Sequence, residues 1–333
     1  MTKIPVLVTG GAGYIGSHAV LALRDAGWPV AVIDDLSNGT RAVVPQDVPF
    51  FEGSIGDRAL VDRVLGDQQI GAILHFAGSI VVPESVEKPL DYYANNTLAS
   101  HALISAAVAA GVPHLVFSST AAVYGAPERV PVAEDDALAP INPYGASKLM
   151  TERMLADTAA AYPINYAALR YFNVAGADPD GRAGQVGKGS THLIKVAVEA
   201  AIGKRGHVDV FGSDYPTADG TCVRDYVHVS DLAAAHVAAL ERLIERPQEN
   251  FVLNCGYGQG LSVLEVLDAL DRVAGTPVPR RAMPRRPGDP PQLVASNRAL
   301  REALDWSPRF ADIDRIIADA LAWERHLLDR APS

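Results

Sequence analysis

The chain has 333 residues, a formal net charge of −10 and a pI near 5.3, so its surface is acidic. That balance argues against nucleic acid or an anionic membrane as partner. The length exceeds one typical domain, so one large unit with a smaller lobe is expected.

Val6-Leu7-Val8-Thr9 is a short apolar run of the kind that forms a buried parallel strand, and it leads straight into Gly10-Gly11-Ala12-Gly13-Tyr14-Ile15-Gly16. Tyr14 to Ala26 reads as a helix. In such a strand-turn-helix unit Gly10 makes the tight turn, Gly13 lets the backbone approach a pyrophosphate and Gly16 lets helix and strand pack closely. The pyrophosphate sits at the helix N-terminus. The next strand, Val30 to Asp34, ends in an acid at the distance the dinucleotide fingerprint requires, and Asp34 would hold the adenosine ribose hydroxyls. No basic residue follows until Arg41, so a 2′-phosphate would be repelled, which argues for NAD over NADP.

Strands are then expected at Pro49 to Glu52, Ala72 to Phe76, His114 to Ser118 and Asn165 to Tyr171. The expected helices are Ala59 to Leu65, Leu90 to Ala110 and Tyr144 to Ala161. The alternation is that of a doubly wound parallel α/β sheet, a Rossmann fold. Its ligands bind beyond the carboxyl ends of the strands, where His75-Phe76-Ala77-Gly78 and Ser118-Ser119-Thr120 fall.

Asn142-Pro143 reads as helix cap and first helical residue, which places Tyr144 in an opening turn. A tyrosine that takes a proton near neutrality must have its pKa lowered from about 10, a cost of roughly 4 kcal/mol. The helix start and Lys148, one turn on, both favour the phenolate. Thr120 is placed to hydrogen-bond the reacting hydroxyl. After Ala175 the pattern changes to a loop rich in Gly and Asp (176–189), then helices, short strands and the proline-rich stretch from Pro277 to Pro291. The division expected is a dinucleotide domain, residues 1–175, and a smaller α/β substrate lobe, residues 176–333, with some segments returning to the first domain.

Two cysteines, Cys222 and Cys255, without Cys-x-x-Cys spacing fit a reducing cytoplasm. The nine histidines show no metal-ligand spacing, so no metal is expected. The apolar stretches are strand-length or interrupted, and the first strand begins at once, so neither a membrane span nor a signal peptide is expected.

Taken together, the glycine loop, Asp34-Asp35-Leu36-Ser37-Asn38, His75 to Gly78, Ser118 to Gly125, Tyr144 to Lys148, Arg170-Tyr171-Phe172-Asn173, Gly220 to His228 and Arg285 to Asp289 occur in one order over nearly the whole chain. In this the chain resembles the extended short-chain dehydrogenase/reductases, and among them the UDP-glucose (UDP-galactose) 4-epimerases. The resemblance implies reversible C4 epimerisation of a UDP-sugar through a 4-keto intermediate, with tightly bound NAD and catalysis by Tyr144, Lys148 and Thr120. It places Tyr14, Ile15, Asp34, Asn38, Ile55, Phe76, Ala77, Asn95 and Phe172 at the NAD site, where Gly78, Ser118 and Ser54 also fall. Asn173, His192, Leu193, Phe211, Arg224, Arg286, Asp289 and Leu293 are implied for the UDP-sugar, the arginines meeting the diphosphate. A homodimer joined through Leu90 to Ala110 and Lys148 to Ala161 is implied as well.

Three positions depart from the family pattern. Ser54 stands where an acid often contacts adenine, Ile80 where a lysine is common, and Thr191-His192-Leu193 where an Asn-containing segment is usual. Leu293 is intermediate in size at the position that tunes room at the sugar's C2, which leaves UDP-N-acetylhexosamines and UDP-xylose/UDP-arabinose as alternatives. A dehydratase or decarboxylase would carry an acid beside the threonine, whereas this chain has Ala121 and Ala122. A non-catalytic dinucleotide-binding regulator commonly loses the tyrosine or the lysine. For Arg224 the competing reading is an ion pair with Asp225 or Asp231.

Overall fold

Seven strands in the order β10-β6-β5-β4-β1-β2-β3 build the central sheet, and every neighbouring pair in it is parallel. In chain order the strands of the computed structural model are β1 (Val6–Thr9), β2 (Val30–Asp34), β3 (Phe50–Glu52), β4 (Ala72–His75), β5 (His114–Thr120), β6 (Asn165–Tyr171), β7 (Asn173–Ala175), β8 (Val208–Phe211), β9 (Val223–His228), β10 (Phe251–Cys255), β11 (Gly260–Ser262), β12 (Arg280–Met283) and β13 (Gln292–Leu293). The helices are α1 (Tyr14–Asp25), α2 (Arg58–Asp67), α3 (Val82–Glu87), α4 (Pro89–Tyr92), α5 (Ala99–Ala110), α6 (Pro143–Ala161), α7 (Leu193–Ala201), α8 (Val229–Glu245), α9 (Val263–Ala274), α10 (Arg298–Ala303) and α11 (Ile313–Asp329). The structure describes residues 3–187, 190–286 and 288–329. Lys188 and Gly189, at the end of the Gly- and Asp-rich loop, and Pro287, in the last of the family motifs, lie outside the described residues.

The near-continuous apolar strands are explained by burial on both faces. Val6 and Val8 of β1 point into the core shared with α1 and α8, while Leu7 points into the core shared with α2 and α5. Strand β2 splits the same way, Val30 and Val32 on one side and Ala31 and Ile33 on the other. This is the doubly wound α/β architecture expected from the alternation. The last strand of the sheet, β10, comes from far down the chain and adds to β6 with Leu253 opposite Leu169. The smaller lobe carries β9, flanked by β7, β11 and β13, and the β8–β12 pair.

One expected element is altered. The helix read over Leu90 to Ala110 is interrupted by a π-helical turn, Tyr93–Leu98, between α4 and α5. The extra residue in that turn brings Asn95 and Asn96 to one loop. Asn96 Oδ1 accepts the Ser79 N–H at 2.7 Å, its Nδ2 donates to the Ser79 carbonyl at 3.0 Å, and Asn95 Nδ2 donates to Ser79 Oγ at 2.9 Å. Bonds to a residue so distant in sequence outweigh the regular i to i−4 ladder, as π turns near functional sites commonly show.

Candidate active site

The carboxyl ends of β1, β2, β4, β5 and β6 open into a cavity of about 370 Å³ that runs between the sheet and the smaller lobe. At its floor Gly10 adopts φ +70°, where a side chain is strained, and a Cβ there would lie 2.6 Å from the Ala77 nitrogen. A Cβ on Gly16 would overlap the Gly10 carbonyl, so the start of α1 packs against the turn only as glycine. Gly13 caps α1 without a side-chain acceptor. The first-turn N–H groups of α1 therefore open into the cavity as a ready anion site.

At the far end of β2, Asp34 is buried and accepts N–H bonds from Ala12 at 2.9 Å and Leu36 at 2.8 Å. Burial raises its pKa, and those two bonds work against the rise. Each carboxylate oxygen retains a lone pair for a further donor. The floor is braced from behind by His75, whose ring nitrogens lie 2.8 Å from Thr9 Oγ1 and 2.8 Å from Ser100 Oγ. Burial pushes His75 down to about 3, so it is neutral and purely structural.

Asn142 Oδ1 caps α6 by accepting the Gly145 N–H at 2.8 Å, with Pro143 in the first turn. Tyr144 is half-buried and lines the cavity together with Thr120, whose Oγ1 accepts the Ala122 N–H at 3.1 Å. Lys148 is buried, its Nζ donating to the Ser118 carbonyl at 3.0 Å and lying 5.0 Å from the centre of the Phe117 ring. Burial lowers its pKa to about 8, which still leaves it protonated at neutral pH. The expectation that its surroundings lower the Tyr144 pKa is not met among the protein's own groups. Burial raises it, the nearness of Thr120 works against the rise, and the Lys148 ammonium is bonded to the Ser118 carbonyl.

Beneath these residues a buried ion pair ties three elements together. Arg170 of β6 meets Glu152 of α6 with two bonds, Nη2 to Oε2 at 2.7 Å and Nε to Oε1 at 3.0 Å, and Ser119 of β5 donates to the same carboxylate. Arg170 Nη1 also donates to Tyr124 Oη at 2.8 Å, which in turn donates to Asn254 of β10 at 2.7 Å.

The structure brings together in this one cavity Gly10, Gly13, Tyr14, Ile15, Gly16, Asp34, Asn38, Ser54, Ile55, Phe76, Ala77, Gly78, Asn95, Ser118, Thr120, Tyr144, Lys148 and Phe172, and with them Asn173, His192 and Leu193. Ile80 also lines it, while Ser54 Oγ accepts the Gly56 N–H at 3.1 Å. The other five positions lie off its wall in a second cluster on the lobe. Arg224 stands 3.7 Å from Asp289, the Arg286 guanidinium lies 3.8 Å from the centre of the Phe211 ring, and Leu293 is register partner to Arg224. The Asp289 N–H bonds the Arg286 carbonyl at 3.4 Å and closes the group. Arg224 pairs with neither Asp225 nor Asp231. Asp225 accepts N–H bonds from Tyr257, Gly258 and Ala295, and Asp231 accepts from Tyr257, Arg309 and Phe310. Sequence reasoning missed Gln185, Lys195, Trp323 and Glu324, which wall one end of the cavity. No local spacing marks them, since an amphipathic helix such as α11 reads simply as core.

A glycine-floored groove with a buried acid at the end of β2 and a Thr-Tyr-Lys group at the carboxyl ends of the strands are the arrangement of a dinucleotide-dependent enzyme. The chain belongs to the NAD dependent epimerase/dehydratase family, which it matches over residues 6–256. Its similarity within that family is to UDP-glucose 4-epimerases. The enzyme of Azospirillum brasilense is 59% identical over 322 residues, 97% of this chain and 92% of that protein. Among solved structures, the UDP-glucose 4-epimerase of Stenotrophomonas maltophila with bound NAD and formylated UDP-arabinopyranose is 40% identical with a TM-score of 0.95, covering 99% of this chain and all of that one. The Brucella ovis UDP-glucose 4-epimerase in complex with NAD is 43% identical with a TM-score of 0.93, over 96% and 98% of the two chains.

Proposed function

We propose that this protein interconverts UDP-glucose and UDP-galactose by inverting the sugar at C4. The observation that carries this reading is the placing of Thr120, Tyr144 and Lys148 in the same cavity as the glycine turn and Asp34. The tight glycine turn, in which a Cβ at Gly10 or Gly16 would collide with neighbouring backbone, and the uncapped start of α1 fit NAD. The groups that would hold it are the α1 N-terminus, Asp34 and Lys148. When bound, NAD supplies a reversible acceptor for the hydride of sugar C4.

Tyr144 removes the C4 hydroxyl proton while Thr120 holds the oxygen. The burial that raises the phenol alone also strips away the water that would screen Lys148, so a small movement of that ammonium toward the phenol lowers its pKa strongly. The 4-keto sugar, anchored by its nucleotide, turns within the site, and Tyr144 returns the proton once the hydride is back on the opposite face. Asn173, His192 and Leu193 line the same cavity as Tyr144, where they would contact the sugar and nucleotide. Arg224 and Arg286 would take the diphosphate, with Phe211, Asp289 and Leu293 around them. Ala121 and Ala122 offer no proton-transfer group beside Thr120, which disfavours dehydration.

Incubating the purified protein with UDP-galactose, UDP-N-acetylgalactosamine and UDP-xylose, without added NAD, and following the products by NMR tests this reading. Conversion of UDP-galactose to UDP-glucose is expected, and its relative rate reports what Leu293 admits at C2. Absence of C4 inversion with all three sugars, even after NAD is added, would sink it.

We further propose a homodimer formed through α4, α5 and α6. Leu90 and Leu98 are 78% and 65% exposed, and Met150 is 43% exposed beside them, a group of large apolar side chains that favours association. Leu98→Glu is expected to convert a dimer to a monomer in light scattering, and an unchanged mass would exclude this face. Residence in the cytoplasm is supported by two buried, unbridged cysteines. No helix among the described residues is long and apolar enough to cross a membrane.

A further inference from the structure

The end of the cavity near Asn38 is closed by a short piece of backbone, 184–187, two of whose residues are glycine, while Val186 packs on the core and Gln185 Nε2 donates to Ser190 Oγ at 3.1 Å. A Cβ on Gly187 would stand 3.8 Å from Asn38 O and Oδ1, so this piece roofs the groove directly opposite the Asp34–Asn38 segment. Its position is set through the Gln185 carbonyl, which accepts two bonds at once, from Trp323 Nε1 at 3.3 Å and from Lys195 Nζ at 3.3 Å. Gly184 passes across the Trp323 indole so closely that a Cβ there would overlap the ring. Lys195 is in turn ion-paired to Glu324 and lies 3.3 Å from Glu199, and Glu324 also takes Lys204 at 3.0 Å. Lys195 and Glu324 are 7% and 1% exposed.

Burying a lysine and a glutamate is a poor way to gain stability, because an apolar pair of similar volume packs at no desolvation cost. What the ions add is direction. Lys195 is aimed at one carbonyl by two carboxylates, and α11 presents Trp323 to the same atom from the other side. We propose that Lys195, Glu324 and Trp323 form a latch that holds 184–187 over the groove and sets how long NAD stays bound. They are positioning residues, since they act on the cofactor through Gln185 and its neighbours. The inference rests on the reading that this groove holds NAD.

The test is exchange of bound NAD. The full-length protein is equilibrated with NAD and chased with isotopically labelled NAD, and bound label is followed with time. Trp323→Phe keeps an aromatic ring but removes the indole N–H together with part of the ring that Gly184 crosses, Lys195→Met removes the second donor, and Gly184→Ala forces the roof off the indole. Each is expected to exchange NAD faster, on the order of tenfold for the loss of one such hydrogen bond. Arg315→Ala, which breaks an exposed pair with Asp319 on the same helix, is expected to leave exchange unchanged and so separates latching from general loosening of α11. If Lys195→Met does not fold, Trp323→Phe decides the matter alone. Exchange within about twofold of the parent protein in a folded Trp323→Phe variant would overturn the latch. A parent protein that yields no NAD when its bound nucleotide is released and quantified, even after incubation with NAD, overturns the functional reading along with it, whereas bound NAD with unaltered exchange in the variants removes only the latch.

Discussion

Tyr144→Phe lowers turnover by roughly 10²- to 10⁴-fold, the range for losing a general acid–base group, while bound NAD stays at the parent level. The phenol oxygen is the only atom removed. The ring still fills its place at the start of α6, whose cap rests on Asn142 and Pro143. Neither the glycine turn nor Asp34 is touched, so cofactor content, read by releasing the nucleotide and quantifying it, separates a chemical defect from a binding one. Thr120→Val complements the experiment. It removes the hydroxyl beside Tyr144 that works against the rise of the phenol's pKa, and the same assay is expected to show a smaller loss. Full activity in Tyr144→Phe would take proton transfer away from this residue.

Arg170→Met costs about 3–5 kcal/mol of stability, the usual penalty for leaving one member of a buried ion pair alone. Side-chain exposure is 4% for Arg170 and 6% for Glu152, so the abandoned carboxylate has no water to turn to. The loss also propagates, because the pair joins β6 to α6 and, through Ser119, to β5, the strand that carries Thr120. Denaturant unfolding followed by tryptophan fluorescence measures it. Replacing both Arg170 and Glu152 with methionine is expected to recover much of the stability, since the desolvation penalty leaves with the charges. A single substitution costing under about 1 kcal/mol would place the pair with surface ion pairs instead.

The strands were legible because sheets buried on both faces require unbroken apolar runs, and Val6 to Thr9 and Val30 to Asp34 supply them. Tyr144 and Lys148 were legible because one helical turn fixes their relation regardless of the rest of the fold. The π turn was not. Its cause is a set of bonds from Asn95 and Asn96 to Ser79, and no hydrophobic period records a polar contact between separate elements. Arg224 shows the same limit. Adjacency in sequence suggested Asp225, yet a strand sends neighbours to opposite faces, and the carboxylate that Arg224 meets belongs to Asp289. The UDP-sugar positions were named through family resemblance, and composition alone would have passed over all of them. The roof at Gln185 was invisible for the simplest reason: its donors, Trp323 and Lys195, share no motif with it.

The late arrival of β10 has a consequence for how the protein is made. When β6 has left the ribosome, the strand that covers its outer edge is still roughly 80 residues away, which at ~5–20 residues per second means several seconds of synthesis. During that interval the nascent chain holds six strands of a seven-strand sheet, with the backbone groups of Ala167 to Tyr171 unpaired along one side. An open parallel edge is a template for any other extended chain. Slow translation between residues 171 and 255 thus prolongs the period of greatest risk of misassociation, and an early stop in that span yields an adhesive fragment rather than a smaller working domain.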